Sequence, residues 1–217
     1  MKEIMFFDAN CRLGRLVNGG PYAEDAPALL REMDHYGVDK ALVRFNNLAM
    51  SGTNTANRNL AELLKADTAG RLTGVWCILP SQCDEIPEPD EFFRQMKANR
   101  IGAITLLPFD HRYVPCRMTL GKMMDAAAER RIPVLLNGFA AKWPELYRFM
   151  EDFPPQCLHL PGILREMGQR PHHPSPAGKL RAFLFRDCGL LGPGRHSRSG
   201  GKIRRGTHSF RQRVPTL

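Results

Sequence analysis

Residues 33–45, Met33-Asp34-His35-Tyr36-Gly37-Val38-Asp39-Lys40-Ala41-Leu42-Val43-Arg44-Phe45, decide the fold. They contain the end of a helix, its stop and the strand that follows. Leu29, Leu30 and Met33 share one helical face in a segment running from Asp25 to Tyr36, with Pro27 suited to its first turn. Gly37 supplies the left-handed residue at which such a helix ends. Lys40 to Phe45 then carries Ala41, Leu42 and Val43 as one apolar run. It is too short for a helix and lacks polar alternation, so it reads as a strand covered on both faces.

The same alternation extends outward in both directions. Upstream, Glu3 to Ala9 reads as a buried strand ending in polar Asn10 and Arg12. Downstream, Thr55 to Ala66 reads as a helix with Leu60, Leu63 and Leu64 inward, and Leu72 to Leu79 as a strand. Asp90 to Ala98 follows as a helix with Asp90 as its N-cap, and Ala103 to Leu107 as a strand. Thr119 to Arg130 (helix), Pro133 to Leu136 (strand) and Trp143 to Asp152 (helix, opened by Pro144) complete the series. Met118, Met123 and Met124 are expected in the core.

Repeated βα units with doubly buried strands specify an α/β chain with a parallel sheet. A closed (β/α)8 barrel takes on the order of 200 to 400 residues. At about 30 residues per unit, residues 1–155 fit such a barrel interrupted after its fifth unit. An open doubly wound sheet is the runner-up, but no glycine-rich phosphate loop follows the first strand.

Beyond Pro155 the character changes. Residues 151–217 hold 12 Lys and Arg against 4 Asp and Glu, so nearly all of the chain's net charge of +9 lies there. Without that segment the composition points to neither a nucleic-acid nor an anionic-membrane partner. No apolar run reaches the roughly 18 residues of a membrane helix, and Asp8 comes too early for a signal peptide. The expectation is a cytoplasmic protein without a membrane partner. The six cysteines form no CxxC pair or zinc-type spacing and read as reduced thiols.

Phe7-Asp8-Ala9-Asn10-Cys11-Arg12 resembles the first strand of the amidohydrolase-related family of TIM-barrel metal-dependent hydrolases. Met33 to Ala41 is similar to that family's first helix turning into its second strand, and Ile132-Pro133-Val134-Leu135-Leu136 to its fifth strand. The resemblance covers about residues 3–153. It implies a partial TIM barrel and the hydrolysis, or in related groups the decarboxylation, of a small molecule at the strands' C-terminal ends. It also implies a divalent metal such as zinc, held in part by two first-strand histidines. This chain has Asn10 and Arg12 there, and Asn137 where a histidine ends the fifth strand. An amide is a poor transition-metal ligand and a guanidinium offers no lone pair, so no metal or other cofactor is expected and the family activity is expected to be impaired.

The polar residues near the strand ends are the candidate site. Arg44, Asn46 and Asn47 follow the second strand, and Asp110, His111 and Arg112 the fourth. Asn10, Arg12, Arg44 and Asn137 are the candidate binders of an acidic small molecule, and His111 the candidate acid or base. Non-catalytic binding of an anionic metabolite is the alternative function.

Residues 156–217 carry five of the seven histidines and much Arg, Gly and Ser, with no apolar period. One reading is a basic arm that binds nucleic acid or metal. The other is translation out of frame: displacing the frame by one base from Gln156 permits a strand, helix, strand, helix and strand resembling the family's closing units, and Met167-Gly168 then forces a tryptophan. Out-of-frame translation is the expectation, so nucleic acid is not an expected partner. An unfinished barrel leaves open sheet edges, and homo-oligomerisation or aggregation through them is expected.

Overall fold

The computed structural model of the chain describes residues 5–16, 23–136, 143–153 and 158–159. Asn137 and nearly all of the basic segment, with both readings of it, lie outside the described residues. The strands are β1 (Phe7–Leu13), β2 (Lys40–Phe45), β3 (Leu72–Cys77), β4 (Ile101–Leu106), β5 (Val134–Leu136) and β6 (Leu158–His159). The helices are α1 (Ala26–Tyr36), α2 (Thr53–Leu64), α3 (Pro89–Ala98), α4 (Arg117–Glu129) and α5 (Trp143–Asp152).

All described strands pair in parallel, in the order β1-β2-β3-β4-β5-β6, with a helix following each of the first five. This is a curled partial (β/α)8 barrel. Right-handed βα crossovers that keep adding the next strand to the same side generate it. The two-residue β6 pairs in parallel with β5 and lies beyond residue 155.

Each strand presents alternate residues to opposite layers. Leu42, Val75, Ala103 and Leu135, with Phe7 against them, form the inner cluster. Val43, Trp76, Ile104 and Leu136 face the other way and pack with helix residues including Met33, Leu60, Phe92 and Met124 in the main core. Gly74 is required where α2 crosses β3. A Cβ there would come within 2.4 Å of Ile101 Cδ1 and 2.8 Å of Leu64 Cδ1.

Local signals explain the helix boundaries. Asp25 caps α1 by accepting from the Ala28 N–H at 2.8 Å, and Gly37 ends it at φ 68°. For α3 the expected cap is corrected. Glu88 occupies the N-cap position, Pro89 opens the helix, and Asp90 sits inside the first turn, where its carboxylate faces Arg130 at 2.5 Å. Met123 and Met124 are core residues as expected, but Met118 is 82% exposed because it lies in the first turn of α4 on the side away from the sheet.

The face of the sheet at the strands' N-terminal ends carries a structural ion pair. Asp67 is fully buried; its Oδ2 accepts from the Leu72 N–H at 2.8 Å and lies 3.2 Å from Arg100 Nη1. Arg100 also donates to the Asp67 carbonyl at 2.7 Å and to the Leu64 carbonyl. One side chain thus ties the end of α2 to the start of β4. No described helix is long and apolar enough to cross a membrane.

Candidate functional site

β1 differs from its expected form in a way that reshapes the site. The strand runs on to Leu13, so Asn10 and Arg12 lie inside it rather than beyond its end. Only Leu13 is buried; Asn10 and Arg12 are exposed. The ladder to β2 slips between Asp8 and Cys11, and Asp8 Oδ1 accepts from the Asn10 N–H at 2.8 Å. An irregular outer strand tolerates polar residues that a regular, doubly covered strand would not.

The slip sets the register at the far end of β1. Arg12 is the ladder partner of Arg44 on β2. Arg44 is only 8% exposed and belongs to the inner row, two residues beyond Leu42. Its Nη2 donates to Asn10 Oδ1, while its Nε is buried with no partner among the described residues. Burial, and then repulsion from Arg12, pull the guanidinium down to about 10, where it remains cationic at neutral pH. Three of the sequence-predicted residues, Asn10, Arg12 and Arg44, are therefore brought together.

His111 stands elsewhere on the same face, in the turn after β4. Its Nδ1 lies 3.9 Å from the Cys77 sulfur at the end of β3. Burial lowers its proton affinity, and the neighbouring Asp110 carboxylate, the Leu48 carbonyl and Glu85 partly offset that. The ring is thus a neutral imidazole near pH 7, with one nitrogen able to take a proton. Cys77 is not a partner nucleophile: burial drives its thiol well above the usual range, so no thiolate forms.

Asn46 and Asn47 serve the scaffold. Asn46 Nδ2 donates to the Gly14 carbonyl, and Asn47 Nδ2 to the Arg15 carbonyl at 2.6 Å, pinning the loop after β1 to the loop after β2. Asp110 and Arg112 are exposed. Asn137 lies outside the described residues.

Two residues that shape this face were missed in the sequence. Cys77 read only as an apolar thiol, and Asn57 went unremarked within α2. The available signal for Asn57 was its position: it lies three residues before Leu60, on the helix's apolar stripe, where a buried amide must find partners.

A divalent metal does not fit the end of β1. The two side chains where the resemblance implies histidines are an amide already engaged by Arg44 and a guanidinium, and Arg44 adds a second positive charge in the ladder opposite. That donor set repels a cation.

No family model matches the sequence, and no curated protein matches it. Solved structures do. The fold is similar to that of a probable 2-pyrone-4,6-dicarboxylic acid hydrolase of Acinetobacter baumannii, crystallised with citric acid bound. The TM-score is 0.55 at 14% identity, over 72% of this chain and 57% of that one. It is also similar to an amidohydrolase II, with TM-score 0.52 at 12% identity, over 70% of this chain and 65% of that one. These similarities are similarities of fold, and the chain spans less than two thirds of either neighbour's length.

Proposed function

We propose that this chain is an amidohydrolase-like protein whose strand-end face binds a small anionic molecule for hydrolysis or decarboxylation. The observation that carries the reading is Arg44, a buried guanidinium whose Nε has no partner among the described residues and whose ladder partner is the like-charged Arg12. Charge buried without a counter-charge is costly, and sites that keep it are commonly functional. Both fold neighbours are named as hydrolases or amidohydrolases, and the one crystallised with citric acid is named for a dicarboxylic substrate.

The chemistry assigned to His111 is that of a base. In hydrolysis the neutral imidazole takes a proton from water as the water oxygen bonds to the acyl carbon, and the leaving oxygen recovers a proton as its bond to that carbon breaks. Arg12 and Arg44 hold the substrate's negative groups and involve no metal.

A screen of lactones, esters and carboxylic acids against the purified chain tests this. The expected result is turnover of an anionic substrate, with His111→Gln lowering kcat by about 100-fold and Arg12→Gln chiefly raising KM. Absence of turnover across the screen, or turnover indifferent to His111→Gln, overturns it.

A further inference from the structure

We infer that Arg12, Arg44 and Asn10 form a metal-independent clamp selective for small dianions. This deepens the proposed function by naming the charge class of the ligand, and it rests on that reading for the location of the site.

The argument is an inventory of donors and charges. Each guanidinium has five N–H donors. Among the described residues, the only partner of either group is Asn10 Oδ1, which takes one bond from Arg44 Nη2. Neither arginine has a carboxylate partner there, whereas Arg71, Arg94, Arg100, Arg117 and Arg130 all do. Asp8, on the same strand, spends Oδ1 on the Asn10 N–H. Like charges directly opposite in a ladder destabilise a sheet. Arg12 and Arg44 are directly opposite, and Arg44 is also withdrawn from water. An anion between them would satisfy the free donors and remove the repulsion together.

The geometry also selects the ligand's charge. A guanidinium fork matches the paired oxygens of a carboxylate or phosphate. Two adjacent forks carry two charges, so a dianion neutralises the site and a monoanion leaves half of it uncompensated. The exposed Arg12 gives access, and the buried Arg44 supplies a donor in a low-dielectric wall, where each hydrogen bond is stronger than in water.

Isothermal titration of the full chain at constant ionic strength tests the clamp, with malonate and inorganic phosphate as dianions and acetate as the monoanion. The expected result is that both dianions bind at least about tenfold more tightly than acetate. Arg12→Gln should weaken malonate about tenfold or more, Arg44→Met should abolish its binding, and dialysis against EDTA should change nothing. Arg12 is exposed, so its variant keeps the fold and decides the matter alone if Arg44→Met does not fold. Acetate binding as tightly as malonate, malonate affinity unchanged by Arg12→Gln, or affinity lost with EDTA each overturns the clamp. Tight malonate binding without turnover supports the clamp and removes the hydrolase reading. Turnover with no dianion binding removes the clamp and leaves that reading standing.

Discussion

The side chain of Asn57 holds both backbone groups of Cys77. Its Oδ1 accepts from the Cys77 N–H at 2.8 Å and its Nδ2 donates to the Cys77 carbonyl at 2.9 Å. The amide acts as one more rung of sheet, contributed by a helix. It fixes α2 against the end of β3, where the sulfur of the same cysteine faces His111. Replacing it with leucine removes both bonds and leaves two buried backbone groups unpaired. Asn57→Leu should cost about 2–4 kcal/mol in urea unfolding, and a loss under 1 kcal/mol, roughly that of a single exposed bond, would show that the clamp is not structural.

Arg100 and Asp67 should be asymmetric under truncation. Removing Arg100 strands a fully buried carboxylate, whereas removing Asp67 costs the Leu72 N–H its acceptor but leaves a guanidinium that still reaches solvent and two backbone carbonyls. Arg100→Ala is expected to destabilise by about 3–5 kcal/mol and Asp67→Ala by about 1–3 kcal/mol. Equal losses in paired chemical denaturations would contradict the assignment of Asp67 as the buried member.

Gly74→Ala tests the contact of α2 with the sheet. The added methyl meets Ile101 and Leu64, both packed in the main core. The expected cost is about 1–3 kcal/mol, because a filled core yields only through off-rotamer side chains. A lowered Tm is the readout, and an unchanged one would mean that the helix sits further out.

If Arg44 is kept for an anion, it should weaken the unliganded fold. Arg44→Met removes a desolvated charge from beside Arg12 and fills similar volume with apolar atoms. It should raise the stability of the unliganded chain by about 1–4 kcal/mol. Arg12→Gln, at an exposed position, should change it by less than about 1 kcal/mol. A destabilised Arg44→Met would indicate that the guanidinium contributes more through its bond to Asn10 than it loses by burial.

His111 makes stability depend on acidity. Folding lowers its proton affinity below the ordinary 6.5, so the unfolded chain binds more protons in the window just under that value. The contribution of the neutral ring is therefore present above pH 6.5 and is lost as pH falls through the folded value. Denaturation midpoints at about pH 7.5 and about pH 5.5 should differ less in His111→Gln than in the parent chain. An identical difference in both would remove His111 from the acid response.

The order of strands and helices was legible in the chain because local physics writes it. Gly37 can take the left-handed conformation that ends α1, Lys40 to Phe45 is too short and too apolar for anything but a buried strand, and both read correctly to the residue. β1 did not read correctly. Its polar residues signalled an end, yet a slipped ladder at the sheet's outer strand carried them inside. Asp90 lies two residues past the cap, because Glu88 holds that position and Pro89 opens α3.

The sequence by itself determined a βα repeat and placed Asn10, Arg12, Arg44 and His111 near the ends of its strands. Both follow from periodicity and from the steric rules of single residues, which act over a few positions of chain. Only the tertiary structure decided that Arg12 stands opposite Arg44, that Arg44 is buried with a nitrogen unpaired among the described residues, and that Asn57 holds Cys77. Those are relations between segments 20 or more residues apart. They depend on register, which a slip of one residue reverses and no local pattern records.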